Sequence, residues 1–235
     1  MTPTLVRHDP VRDWVEIQER MLAPLYEAVY ERLAVGPGTR LLGLDCGAGL
    51  ALLMAAARGA RVAGADRDAA RLAHARRRLA GHGAALDEDR PAPGPYDVVT
   101  AFHRAPAGFA LDHAVRGAAV VLAGWGPRER CASAAVLAEA GAEWTGAAHD
   151  DLPARAARAG LRPEGSGRVA CPFGYADPDS AVRGLLSTGA LDAAAAATDP
   201  ARVEKELTEA LHPYVRRDGT VWMPNVFTYV IARVP

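Results

Sequence analysis

The segment Arg40-Leu-Leu-Gly-Leu-Asp-Cys-Gly-Ala-Gly49 runs an apolar strand into a glycine turn, and the helix-forming stretch Leu50 to Arg58 follows at once. Strand, turn and helix in that order suit a nucleotide. Glycines let the backbone come close to a ligand, and a helix N-terminus offers N–H groups that have no partner within the helix. About 17 residues on, a second strand, Arg61-Val-Ala-Gly-Ala65, ends in Asp66. A carboxylate at the tip of that strand is placed to accept both hydroxyls of a ribose.

Around this pair, strands and helices alternate. Residues 11–34 repeat apolar side chains at three- and four-residue steps (Trp14, Ile17, Met21, Leu22, Leu25, Val29, Leu33) and read as a helical region that Pro24 kinks or divides. Gly36-Pro37-Gly38 ends it and launches the first strand, 40–45, whose helix spans 49–58. Strand 61–65 leads to a helix from Asp68, a suitable N-cap, to about Ala80. Residues 81–95 are rich in Gly, Pro and acid and read as loop, with room for one short strand near Ala84–Leu86. Tyr96–Phe102 and Gly117–Gly124 read as buried strands, Glu129–Ala140 as a helix and Arg155–Ala159 as a short one. Arg168–Pro172 reads as a strand, 178–196 and 200–212 as helices, and Asn225–Val234 as a closing strand. Asp199-Pro200 is a good start signal for the second of those helices. The pattern predicts an α/β fold: a doubly wound, mostly parallel sheet with helices on both faces. Such sheets bind ligands beyond the carboxyl ends of their strands.

Half of the 235 residues are hydrophobic, enough for one domain, 1–235, with a full core. The formal charge of -1 points to neither nucleic acid nor an anionic membrane as partner. Lys205 is the only lysine, so positive charge is nearly all arginine; with the abundant alanine this reads as coding bias. Cys46, Cys131 and Cys171 are far apart and lack metal-ligand spacing, which suits a reducing cytoplasm and implies no metal site. No leader pattern opens the chain, and no apolar run approaches the roughly 20 residues of a membrane span.

The turn and Asp66 resemble the cofactor site of the class I S-adenosylmethionine (SAM)-dependent methyltransferases. That family reads acid-x-Gly-x-Gly-x-Gly where this chain reads Gly43-Leu44-Asp45-Cys46-Gly47-Ala48-Gly49. Two positions look exchanged: the acid expected at 43 is glycine, and the first glycine, expected at 45, is aspartate. The segment from Val121 through Trp125-Gly-Pro-Arg-Glu-Arg-Cys131 is similar to the fifth strand and following loop of a bacterial group in that family. Gly184-Leu-Leu-Ser-Thr-Gly189 and Asn225–Ile231 match that group's insertion and final strand. The resemblance implies a Rossmann-like sheet of the seven-stranded type with an antiparallel closing strand, a helical lid at 1–36 and a helical insertion at 178–212. Two further departures are a shortened stretch between Leu79 and Tyr96 and, between His103 and Val120, room for a helix only at Phe109–Arg116.

By the same resemblance the cofactor is SAM. Gly47 and Gly49 approach its methionine end, Asp66 takes the ribose, and Gly43, Cys46, Arg67 and Phe102 border the pocket. Arg67 reads equally as a surface partner that neutralises Asp66. Asp45 has two readings: its carboxylate pairs with the methionine ammonium, or its side chain fills space that the cofactor needs. His103, after the fourth strand, is the candidate general base for a hydroxyl substrate, or a residue that simply caps the strand. One acid of Asp87-Glu88-Asp89 is placed for the adenine, or the three form a solvated loop. Trp125, Arg128 and Glu129 are candidates to line a substrate cleft, while Arg76-Arg77-Arg78 reads as a solvated helix face. The implied function is methyl transfer to a small organic molecule in bacterial secondary metabolism. The alternatives are a methyltransferase-like cyclase or isomerase, and a non-catalytic partner protein; fold does not decide among them.

Overall fold

The computed structural model describes residues 9–88, 93–103, 114–142 and 151–235. Its helices are α1 (Pro10–Asp13), α2 (Ala23–Arg32), α3 (Leu50–Ala57), α4 (Ala69–Arg78), α5 (Ala132–Glu139), α6 (Leu152–Arg158), α7 (Pro178–Leu186), α8 (Asp192–Ala197) and α9 (Pro200–Ala210). Its strands are β1 (Arg40–Leu44), β2 (Arg61–Ala65), β3 (Ala85–Asp87), β4 (Tyr96–Ala101), β5 (Ala114–Trp125), β6 (Arg162–Ala170), β7 (Phe173–Tyr175), β8 (Val221–Met223) and β9 (Val226–Arg233). The chain divides into two compact units. The larger comprises residues 22–131, 145–171 and 225–235, the smaller 1–21, 132–144 and 172–224.

The larger unit holds the seven-stranded sheet, in the order β3-β2-β1-β4-β5-β9-β6. β1 to β5 pair in parallel, and β9 runs antiparallel to both of its neighbours. The expected mostly parallel sheet with an antiparallel closing strand is therefore present. One face buries Leu42, Val99, Val120, Leu122 and Val230 together with Leu152 and Ala156 of α6. Leu25, Tyr26, Val29 and Tyr30 of α2, Leu52 of α3 and Leu72 of α4 are also buried. At the amino end of the strands, Arg40 grips Asp97 through Nε and Nη2, at 2.9 and 2.6 Å, and pins β1 to β4.

In the smaller unit, Asp-Pro pairs do much of the punctuation. Asp9, Asp177 and Asp199 each cap the helix that begins at the next residue, a proline, by accepting backbone N–H groups of its first turn. A π-helical turn, Trp14–Gln18, follows α1. Asp13, 2% exposed, is paired with Arg183 of α7, and Gln18 Oε1 accepts the Tyr175 hydroxyl at 2.8 Å. Gly184 is needed there: a Cβ would stand 2.7 Å from the Tyr175 ring and 3.0 Å from Gln18 Oε1. β7 and β8 form a separate antiparallel pair.

Several boundaries differ from the sequence reading. The helical stretch 11–34 becomes α1, the π turn, a 3-10 turn at Glu19–Leu22 and α2, with Pro24 in the first turn of α2. Ala114–Arg116, part of the stretch from Phe109 that left room for a helix, belongs to β5; residues 109–113 lie outside the described residues. Those three residues lead directly into the apolar run of β5, and pairing with β4 decides against a helix. The strand read at 168–172 starts at Arg162, because β9 offers it an antiparallel ladder from there to Ala170, broken by one irregularity between Pro163 and Gly165. The single helix 178–196 is two, since Ser187 and Thr188 turn their hydroxyls onto the carbonyls of Gly184 and Leu185, and Gly189 then takes φ +74°.

Candidate active site

The glycine corner and the residues around Phe102 and His103 belong to the larger unit. After β1 the chain keeps one more ladder contact, Cys46 N–H to the Ala65 carbonyl at 3.1 Å, and then turns. Three residues of the turn take left-handed backbone angles: Asp45 at φ +47°, Gly47 at +59° and Gly49 at +83°. Position 45 therefore requires what glycine supplies most readily. Aspartate is among the few L residues that tolerate it, at a cost of about 1 kcal/mol. Gly49 serves packing as well: a Cβ there would lie 2.9 Å from Ala75 Cβ and 3.2 Å from Ala75 Cα, so its bareness brings α3 against α4.

Asp66, partly exposed at the tip of β2, ties this corner together. Its Oδ2 accepts the Gly47 N–H at 2.7 Å and its Oδ1 the Asp68 N–H at 2.8 Å. Each oxygen retains capacity for a second hydrogen bond, so a diol can still be held. Asp68 caps α4 by accepting from Ala70 and Arg71 N–H. Arg67 is exposed and makes no ion pair with Asp66. Asp87 contributes its carbonyl to the Asp66 N–H at 3.2 Å, Glu88 faces Arg76 at 3.9 Å, and Asp89 lies outside the described residues. The arginine run is not a uniform solvated face. Arg76 and Arg77 are exposed, but Arg78 turns inward and donates to the Ala48 carbonyl of the turn at 2.7 Å.

Beyond β4, Phe102 is 4% exposed and packs on two tyrosines of α2, with centroids 4.8 Å from Tyr26 and 6.0 Å from Tyr30. Tyr26 Oη lies 3.1 Å from His103 Nε2, and the Tyr30 hydroxyl donates to the Ala51 carbonyl of α3 at 2.9 Å. Burial first, and the Arg71 cation second, hold the His103 imidazole down at about 4, so it is neutral at physiological pH. Burial pushes the Tyr30 phenol well above its usual range, so it stays a donor. Sequence reasoning passed over Tyr26, Tyr30 and Arg71. The signal was the broadening of the α2 stripe, where Leu25-Tyr26 and Val29-Tyr30 double its apolar positions.

Other candidates sit apart. Trp125 stacks on Phe227 at 4.5 Å, while Arg128 and Glu129 are exposed in a 3-10 turn. Among the described residues no cluster of His, Cys, Asp or Glu could hold a metal, and no helix is long and apolar enough to cross a membrane. A shallow depression lined by Pro37, Thr39, Arg40, Arg61 and Asp97 opens at the amino ends of the strands, opposite the turn. Ligands of such sheets bind at the carboxyl ends, so the glycine corner is the stronger candidate.

The corner offers two carboxylates, Asp45 and Asp66, near the N-terminus of α3, groups whose chemistry fits the hydroxyls and the ammonium of SAM. No protein-family model and no curated protein matches the sequence. Solved structures do match the fold. YjhP of E. coli is 20% identical with a TM-score of 0.52, over 98% of this chain and 96% of that one. A SAM-dependent methyltransferase of Thiobacillus denitrificans, solved with S-adenosyl-L-homocysteine (SAH), is 17% identical with a TM-score of 0.51, over 96% and 94%. A protein solved in connection with the conversion of a disulfide bond into a thioacetal group during echinomycin biosynthesis is 17% identical with a TM-score of 0.53, over 90% and 82%. The strand order, the turn and these likenesses together give the chain the fold of the class I SAM-dependent methyltransferases.

Proposed function

We propose that this protein binds SAM and transfers its methyl group to a small organic molecule in bacterial secondary metabolism, in the cytoplasm. The observation that carries the reading is Asp66, a carboxylate at the tip of β2 joined to the glycine turn by a 2.7 Å hydrogen bond and able to accept a diol. SAM, when bound, supplies an electrophilic methyl on a sulfonium. Asp66 holds the ribose, the backbone of Gly47 approaches the cofactor with Cys46 beside it, and Asp45 faces the ammonium. Phe102 closes the pocket against α2. His103 accepts a hydrogen bond from a substrate hydroxyl and takes its proton as the new bond forms. A neutral imidazole can accept that proton, and its low basicity makes it a weak general base. Tyr26 is a positioning residue that fixes the ring through Nε2. In this reading the two units act as one methyltransferase-like domain, 1–36 as lid and 178–212 as insertion. The echinomycin-related neighbour supports a natural-product setting.

The exchanged Gly43 and Asp45 favour a second reading, a methyltransferase-like cyclase, isomerase or partner protein that no longer transfers methyl groups. Titration calorimetry with SAM and SAH separates the two. Binding of both to the native chain is expected, with Asp45→Gly weakening SAM by about 1.5–3 kcal/mol, the worth of a charged hydrogen bond. A gain in affinity for Asp45→Gly, or no binding to the well-folded native chain, moves the assignment to the second reading.

A further inference from the structure

Gly43 of β1 and Gly64 of β2 are register partners, and the same side chain lies over both. A Cβ at Gly43 would stand 2.9 Å from Leu52 Cδ2 and 3.4 Å from Cys46 Cβ. A Cβ at Gly64 would stand 2.6 Å from Leu52 Cδ1, 3.0 Å from Cys46 Sγ and 3.1 Å from Leu86 Cδ2. Leu52 is 1% exposed and Cys46 6%, so both side chains are held in the core. The two methyls of one leucine thus occupy the volume that side chains at both strand positions would need. The pair of bare strand positions and the leucine are a single packed device.

We propose that Leu52 decides where the turn can carry its carboxylate: by filling the space over Gly43 and Gly64 it excludes an acid at 43 and makes Asp45 the turn's acidic group. This rests on the SAM reading only for what the carboxylate faces; the packing stands without it. An aspartate at 43 would have to push a buried methyl aside. Its oxygens would then lie against Leu52 and Cys46, apolar neighbours that do not repay desolvation. Asp45 is two residues on, past the end of β1 and partly exposed. A charge there keeps access to water or to a cationic ligand without entering the core. The left-handed backbone at 45 is accepted because the position two residues back is closed.

A ligand-free stability cycle tests the packing claim. Gly43→Asp and the milder Gly43→Ala are each made in the native chain and in Leu52→Ala, and unfolding in urea is followed by circular dichroism. Gly43→Ala is expected to lower the folding constant about tenfold in the native background and less than about threefold with Leu52→Ala, because the cavity admits the new atoms. Equal losses in the two backgrounds would overturn the proposal, and the Ala variant keeps the test decisive if Gly43→Asp does not fold. Calorimetry with SAH then compares Gly43→Asp/Asp45→Gly with the same pair plus Leu52→Ala. Recovery of binding by about tenfold or more in the triple variant is expected. Binding by the double variant as tight as the native chain's overturns the proposal. If the native chain itself does not bind SAH, the SAM reading fails while the urea cycle still judges Leu52.

Discussion

At the tip of β2, Asp66 performs two tasks with one carboxylate: it holds the turn through the Gly47 N–H, and α4 through the Asp68 N–H. Asp66→Ala should therefore cost about 1–3 kcal/mol of stability from the two abandoned donors, measured by urea unfolding. It should also weaken SAH by roughly 1.5–3 kcal/mol in calorimetry. An unchanged SAH affinity beside the stability loss would leave the ribose to another residue. His103 makes a separate statement about pH. The unfolded imidazole titrates near 6.5 and the folded one near 4. Between those values the unfolded chain binds more protons, so stability rises with pH there and is lost as pH falls through the window. The contribution is about 1–3 kcal/mol. His103→Gln keeps a polar group for Tyr26 and cannot titrate, so its stability curve should be flatter between pH 6.5 and 4. A parallel curve would mean that the acid sensitivity comes from carboxylates. Asp66 and His103 could both be picked out in the sequence, because each follows a readable strand. The Tyr26 partner of His103 could not, since 77 residues separate them and only the packing of α2 brings them together.

Among the elements, α3 and α4 meet through Gly49 of the turn. Gly49 combines φ +83° with a Cβ position 3.2 Å from the Ala75 backbone. Gly49→Ala should cost about 2–4 kcal/mol, strain and overpacking together, by urea unfolding. A cost below about 1 kcal/mol would show that α4 can shift without penalty. The start of α9 was legible because its signal is local: Asp199 and Pro200 act on the next turn alone. The start of β6 was not, because Arg162-Pro-Glu-Gly lacks strand character and becomes strand only where β9 supplies the partner ladder. For the same reason Arg78 of α4 and Ala48 of the turn give no sequence hint of their 2.7 Å bond.

At the scale of the molecule, the chain falls into two units, and only the larger carries the glycine corner. SAH at 100 times its Kd should stabilise the protein by about 2.7 kcal/mol. Hydrogen exchange should then slow around residues 45–50 and 66–68, in the larger unit. Protection centred instead on 178–212 would place the ligand on the smaller unit and contradict the site assigned here.

The resemblance to a known family implied the antiparallel last strand. The sequence by itself determined the alternation of strands and helices, the mostly parallel sheet, and the corner of Gly47, Gly49 and Asp66. Those follow from apolar runs, caps and turn residues, which act over a few positions. Tertiary structure alone decided that Gly43 lies beneath Leu52, that Asp45 takes a left-handed conformation, and that Tyr26 meets His103. Each depends on atoms brought together from different elements, where excluded volume and burial rather than local preference set the outcome.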